Sequence, residues 1–248
     1  MMIIDLKKIP ILWTTCDKYK DRQNSIEQSF KSFGIENAEM ISGPLNTPYS
    51  IAFADNVKIN GDFDDGMAKG YIRALNQYNP PFLILEDDVK PLLNNFNINN
   101  FDSINVQDDI DAIYLGTSVY GRVAGRTLDQ CVIAEPYDDR FYQIKNMLSL
   151  HAVIYTSKKY IDHVTSTLLG YIDDVQNKRW SGARTLNVNQ SGNFCEIDIH
   201  YGADDRIADT MHKYKILAVK QPIFYQDDGH SNAPTMEPLK IKYGDMYM

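Results

Sequence analysis

The segment Phe82-Leu83-Ile84-Leu85-Glu86-Asp87-Asp88-Val89 constrains this chain more than any other. Four consecutive apolar residues offer no polar face to solvent, so the run reads as a strand buried on both sides, as in the centre of a parallel sheet with helices above and below it. Pro80 and Pro81 keep a helix from running into it. An α/β layer architecture follows. Three adjacent carboxylates then end the strand. They repel one another, and partial burial raises their pKa values unless a cation or hydrogen bonds compensate. In open α/β sheets, ligands sit outside the carboxyl ends of strands, which makes this cluster the first candidate for a site. If the strand continues through it, alternation sets Glu86 and Asp88 on one face and Asp87 on the other. Oxygen-only ligands suit Mg²⁺ or Mn²⁺, and Mg²⁺ typically takes one or two carboxylates together with substrate phosphates. The alternative is a solvated acidic loop.

The flanking pattern agrees with α/β. Ile9 to Trp13 reads as a strand that runs into the polar Thr14-Thr15-Cys16-Asp17. Asp21 to Phe33 carries Ile26, Phe30 and Phe33 at helical spacing, with Gly34 as the stop, and Ala38 to Ile41 reads as a second strand. Together they form the opening βαβ of a parallel sheet. A helix is expected over Asp64 to Tyr78. Further strands are expected at Ala112 to Leu115, Cys131 to Ala134, Ala152 to Tyr155 and Ile216 to Val219, and further helices near Ser157 to Leu169 and Asp204 to Tyr214. No repeat or linker interrupts the pattern, so residues 1–248 read as a single domain. The Gly-, Pro- and Asn-containing tail, about 222–248, is expected to wrap over the active site as loop.

Charge narrows the function classes. Lys plus Arg number 25 against 33 Asp plus Glu, a net charge of −8, which argues against a broad basic surface for nucleic acid or anionic membrane. Cys16, Cys131 and Cys195 form no CxxC pair and read as free thiols of a reducing compartment. No apolar run reaches the length of a membrane span. A cytoplasmic location is the expectation.

Several pieces, in order, resemble glycosyltransferase family 25, the lipopolysaccharide and collagen-type galactosyltransferases. They are Trp13-Thr14-Thr15-Cys16-Asp17 with Asp21-Arg22, then Gly66 to Leu75, Ile84 to Val89, Ala112 to Gly116, His151 to Tyr155, and Pro222 to Ser231 with its Gln226. The resemblance implies the GT-A type of nucleotide-diphospho-sugar transferase fold, α/β with a mostly parallel central sheet flanked by helices. It also implies a divalent metal, Mn²⁺ or Mg²⁺, held through an Asp-x-Asp-type motif. On this basis Asp88 is the expected metal ligand, joined by Glu86 and by a late histidine, His230. Glu86 and Asp87 also lie toward the donor's ribose and diphosphate, and Thr14, Thr15, Asp17, Arg22, Lys69 and Arg73 complete the expected donor-binding set.

A sugar transfer needs its leaving diphosphate stabilised and its acceptor hydroxyl activated. An inverting transfer also needs a carboxylate base on the far face of the sugar. Asp204 and Asp205, at the expected start of a helix, are the candidates, and the resemblance places its late acidic residue there. Aspartate is equally favoured in a first helical turn for capping. His151, inside an apolar run, reads as a hydrogen-bonded core residue lining the cleft. Cys195 with His200 matches no nucleophile pattern. The basic and aromatic stretch Lys178-Arg179-Trp180, with Arg184, reads as a solvated loop or an acceptor contact.

The expected activity is a metal-dependent, inverting glycosyltransferase with a nucleoside-diphosphate sugar as donor, a UDP-sugar first among them. The acceptor is a polysaccharide, a protein or modified DNA. Transfer to hydroxylated DNA bases is one alternative. A Mg²⁺-dependent phosphohydrolase or phosphotransferase and a catalytically inactive sugar-binding protein are alternatives of another class.

Overall fold

The computed structural model describes residues 1–16, 20–36, 38–43, 48–52, 58–62, 65–91, 98, 103–118, 120–123, 126–129, 132–176, 183–188, 194–199 and 203–226. In chain order the elements are β1 (Met2–Ile4), β2 (Ile11–Cys16), α1 (Lys20–Ser32), β3 (Glu39–Gly43), β4 (Pro48–Ala52), β5 (Lys58–Asp62) and α2 (Asp65–Leu75). Next come β6 (Phe82–Glu86), β7 (Val89–Pro91), β8 (Ile104–Val106), β9 (Ala112–Tyr114), β10 (Tyr120–Val123), β11 (Arg126–Asp129), β12 (Ala134–Pro136), β13 (Phe141–Ile144) and β14 (Ala152–Tyr155). The last are α3 (Lys158–Gln176), β15 (Ala183–Val188), β16 (Phe194–Ile199), α4 (Ala203–Thr210), a 3₁₀ turn (Met211–Lys213), β17 (Ile216–Val219) and β18 (Phe224–Gln226).

Eight strands form one sheet in the order β12-β13-β17-β9-β14-β6-β2-β3. The pairs β2 with β3, β2 with β6, and β17 with β9 are parallel. The pairs β14 with β6, β14 with β9, β13 with β17, and β12 with β13 are antiparallel. The sheet is therefore mixed, which corrects the expectation of a mostly parallel one. An apolar strand buried on both faces, such as β14 with Ala152-Val153-Ile154-Tyr155, carries no local mark of its direction.

Strand β6 is central, as its composition requires. Phe82, Leu83, Ile84 and Leu85 have no exposed surface. Alternation sends Phe82 and Ile84 into a core with Tyr71 and Leu75 of α2 and Tyr160, Val164 and Leu168 of α3. Leu83 and Leu85 enter a second core with Trp13 of β2 and Ile26 and Phe30 of α1. The β1–β8 pair, with Ile4, Ile104 and Val106, closes that second face.

The helix ends follow local chemistry. Gly34 adopts a positive φ of 72°, its N–H reaches the Lys31 carbonyl at 3.2 Å, and Ile35 N–H reaches the Phe30 carbonyl at 2.9 Å. This is a Schellman closure, with Ile35 and Phe30 buried together beneath it. At the start of α3, Ser157 accepts the Tyr160 N–H at 3.2 Å as an N-cap and donates to Asp111 Oδ1 at 2.6 Å. Helix α3 runs past the expected Leu169 to Gln176, because its apolar stripe resumes at Tyr171 and Ile172. Their burial outweighs the helix penalty of Gly170, roughly 1 kcal/mol.

Three other expectations are corrected. The helix expected over Asp204 to Tyr214 is α4 followed by a 3₁₀ turn. The strand expected at Cys131 to Ala134 lies at Ala134–Pro136, with Cys131 outside the described residues. The tail expected as loop contains β18, which pairs antiparallel with β7 directly beyond the acidic cluster.

At the same edge of the sheet, a Cβ added to Gly116 would lie 1.9 Å from His151 Nε2 and 2.3 Å from its Cδ2. The ring is held by Ser149 Oγ, 2.8 Å from Nδ1, and cannot swing aside without breaking that bond. Gly116→Ala should destabilise the protein by about 1–3 kcal/mol, the usual cost of overpacking. Adding His151→Ala should recover part of the loss, so denaturant melts of the two single variants and the double variant should be non-additive. A neutral Gly116→Ala would mean that the ring does not occupy that space.

Candidate functional site

The chain runs from β2 through α1 to β3 on one side. It later returns through α2 to β6 on the other side of β2. The connections therefore diverge at the carboxyl ends of β2 and β6, the type of switch point where open α/β sheets form a crevice. Thr14 of β2 is the register partner of Glu86 of β6. The sheet topology thus brings the threonine pair and the acidic strand end together.

The strand stops at Glu86, and Asp87 and Asp88 form a turn. The strand does not continue through the cluster, so alternation does not set Asp88 on the face of Glu86. The Asp87 side chain turns under α1. Its Oδ2 accepts the Thr15 hydroxyl at 2.6 Å, and Arg22 Nη1 lies 3.4 Å from its Oδ1. The same guanidinium nitrogen is 3.7 Å from Asp88 Oδ2. Gln23 Nε2 donates to Thr15 Oγ1 at 3.5 Å, and Thr14 Oγ1 donates to the Leu85 carbonyl at 3.4 Å. Burial pushes the Asp87 carboxyl above its ordinary value, against the opposing pull of the Thr15 hydroxyl and Arg22. The cation that the acidic cluster calls for is thus supplied in part by Arg22, one turn into α1.

Glu86 belongs to the opposite face. Its charge helps to raise the pKa values of the buried hydroxyls of Tyr71, Tyr155 and Tyr114, after the larger effect of burial. The hydroxyls of Tyr71 and Tyr155 are 3.0 Å apart, and those of Tyr114 and Tyr160 are 3.2 Å apart. This tyrosine layer lies between the sheet and α2 and α3. Asp204, in the first turn of α4, also acts on Tyr114. The charges of Glu86 and Asp204 therefore both act on Tyr114 of this layer.

The two candidate bases differ. Asp205 is buried and lies 3.4 Å from Arg122, which also meets Asp209 at 3.1 Å. Asp204 is partly buried, and its Oδ1 accepts the Asp205 N–H at 3.0 Å. Its carboxyl is raised from 3.8 to about 6, by burial first and by the neighbouring charge of Asp205 second. At neutral pH it is ionised yet basic enough to take a proton.

The other expected residues lie on α2 or outside the described residues. Arg73 is exposed and donates to the Ser42 carbonyl at 2.9 Å, on the β3 side of the sheet. Lys69 is partly buried on α2. Asp17 and His230 lie outside the described residues, as do Lys178, Arg179, Trp180 and His200. His151 is a buried core residue; burial lowers its pKa from 6.5 to about 4, so it is neutral at pH 7. Gln23, Ser149 and Arg122 were not expected from the sequence. Each acts through a partner in three dimensions, and only Gln23, one residue from Arg22, carries a local hint.

Carboxylate oxygens are the kind of ligand that Mg²⁺ or Mn²⁺ shares with phosphates. Asp87 is engaged by Thr15 and Arg22, and Glu86 belongs to the opposite face, so Asp88, 3.7 Å from Arg22, is the carboxylate at the turn that could hold such a cation. Among the described residues no group of three His, Cys, Asp or Glu side chains gathers to hold a metal. A cation here would draw its remaining ligands from substrate and water.

The raised pKa of Asp204 has a consequence for stability. Between 3.8 and about 6 the folded state binds more protons than the unfolded state, so stability falls as pH rises through that window. Asp204→Asn should remove this loss. Its melting temperature should exceed that of the parent at pH 7 and match it near pH 3.5, with a gain of at most about 3 kcal/mol. Equal melting at pH 7 would show that the carboxyl ionises without penalty.

No protein-family model matches this chain, and no curated protein matches it either.

Proposed function

We propose that this protein is a glycosyltransferase of the GT-A type, moving a sugar from a nucleoside-diphosphate donor to an acceptor hydroxyl with inversion. The observation that carries the reading is the meeting of Thr14, Thr15, Arg22 and the Glu86–Asp88 turn at the switch point between β2 and β6. A mixed sheet with helices on both faces supports it. So does a carboxylate of raised pKa, Asp204, whose charge acts with that of Glu86 on Tyr114.

Each residue then has a physical task. Arg22 is partly exposed, and it faces the developing charge of the leaving diphosphate while keeping Asp87 in place. Thr15 and Gln23 hold Asp87 in one orientation, which fixes the floor of the donor site. A divalent cation on Asp88 would neutralise charge on the diphosphate as its bond to the sugar breaks. Asp204 takes the proton from the acceptor hydroxyl as that oxygen attacks the anomeric carbon. Asp205 is tied to Arg122 and is the poorer candidate for this step. A phosphohydrolase would need a mobile nucleophilic carboxylate at the strand end, and Asp87, the deepest of the three, is bonded through both oxygens.

Turnover, donor binding and melting temperature test this. Release of nucleoside diphosphate across a panel of nucleotide sugars should appear with one donor class, UDP-sugars first, in the presence of Mn²⁺ or Mg²⁺. Calorimetric donor binding should vanish when chelator is added, and binding indifferent to chelator would remove the metal. Asp88→Asn should lower turnover at least 100-fold and leave the melting temperature unchanged or higher, because it removes a charge from a repulsive cluster. An unfolded Asp88→Asn would make the cluster structural. Asp204→Asn should lower turnover by about 10²- to 10⁴-fold with donor affinity nearly intact.

A further inference from the structure

We propose that Arg122 is the positioning residue for Asp204, gripping α4 through Asp205 and Asp209 so that the Asp204 carboxylate is held toward the tyrosine layer. The inference rests on the reading of Asp204 as the base.

The grip is built from both sides. Arg122 is buried, and its backbone is fixed by Asn146: Arg122 N–H donates to the Asn146 carbonyl at 2.9 Å, and Asn146 Nδ2 donates to the Arg122 carbonyl at 2.9 Å. The guanidinium then reaches two carboxylates four residues apart on α4. Nε and Nη2 lie 3.1 and 3.4 Å from the Asp209 oxygens, and Nη1 lies 3.4 Å from Asp205 Oδ1. Residues four apart share one helix face, whereas Asp204 is offset from Asp205 by roughly 100° around the axis. Fixing the Asp205–Asp209 face therefore sets the direction in which Asp204 leaves the helix. Buried ion pairs contribute little net stability compared with apolar packing, so orientation is the effect such a clamp can best provide.

The charges around Asp204 divide by element. On α4 itself Asp205 opposes ionisation of Asp204, and Arg122 from β10 favours it. On β9 the Tyr114 hydroxyl, raised chiefly by burial, is pushed further up by the charges of Asp204 and Glu86. On α3, Asp174 pairs with Arg206 at 2.9 Å and His163 meets Thr210 at 2.7 Å. His212 and Lys213 follow in the 3₁₀ turn at the far end of α4.

The test is a direct titration of Asp204 by carboxyl ¹³C NMR, its resonance identified by its loss in Asp204→Asn. Arg122→Gln should raise the midpoint by about one unit, a tenfold change in proton affinity. Arg122→Lys should restore most of the parent value, and Asp205→Asn should lower it. In the donor assay the acidic limb of the pH profile should move with each midpoint. A midpoint unmoved in folded Arg122→Gln overturns the proposal, since a purely structural clamp would lower melting temperature alone. If Arg122→Gln does not fold, Arg122→Gln with Asp209→Asn removes one stranded carboxylate. An unmoved midpoint in Asp205→Asn overturns the proposal in the same way. A parent protein without turnover on any nucleotide sugar would overturn the glycosyltransferase reading while the titration still reports the Arg122 coupling.

Discussion

Burial of β6 on both faces is the constraint from which the rest follows. A fully buried large apolar side chain contributes roughly 1.5–3 kcal/mol over an exposed one, so four in succession cannot be left with one side in water. Phe82 and Ile84 require the layer of α2 and α3, and Leu83 and Leu85 require α1. The same burial explains why the strand ends where it does. Glu86 is the last residue of β6, and Asp87 and Asp88 leave the sheet in a turn whose far side is taken up by β7 and β18, with the buried Asp87 answered by the Thr15 hydroxyl and Arg22. The candidate site is the boundary between those two requirements.

Two arginines then organise the negative charge of this edge. Arg22 is shared by Asp87 and Asp88, and Arg122 by Asp205 and Asp209. In each case one guanidinium stands between two carboxylates of a single element and an element distant in sequence. Arg22 is about one third exposed, so solvent screening weakens its pairs, whereas Arg122 is closed off from water. The carboxylates of raised pKa, Asp87 and Asp204, owe that state to burial first. They differ in their bonding: Asp87 is pinned by the Thr15 hydroxyl, while Asp204 accepts the backbone N–H of its own neighbour, Asp205. That contrast is why one suits a positioning role and the other a proton transfer.

Much of this is legible in the chain. The apolar run 82–85, the stripe of Ile26 and Phe30, the stop at Gly34 and the strands at 152–155 and 216–219 follow from period, propensity and cap chemistry, which act within a few residues. The place of the candidate site is legible for the same reason, because a carboxylate cluster closing a buried strand is a local contradiction. Local pattern ends helix α3 too early, at Gly170, where the penalty of one glycine is overruled by the burial of Tyr171 and Ile172. Arg73 stands near the acidic strand in sequence, and the fold sets it on the carbonyl of Ser42, the register partner of Thr15 on the neighbouring strand.

By itself, then, the sequence determined which segments must be buried, with which period, and where burial meets charge. The tertiary structure alone decided strand order and direction, so that β14 enters antiparallel between β6 and β9 and makes the sheet mixed. It also decided which cation answers which carboxylate: Arg22 and Asp87 are 65 residues apart, and Arg122 and Asp209 are 87 apart. Side-chain pattern encodes the free energy of leaving water, which each residue carries with it. The choice of partner depends on how distant segments close on one another, and no local pattern carries that information.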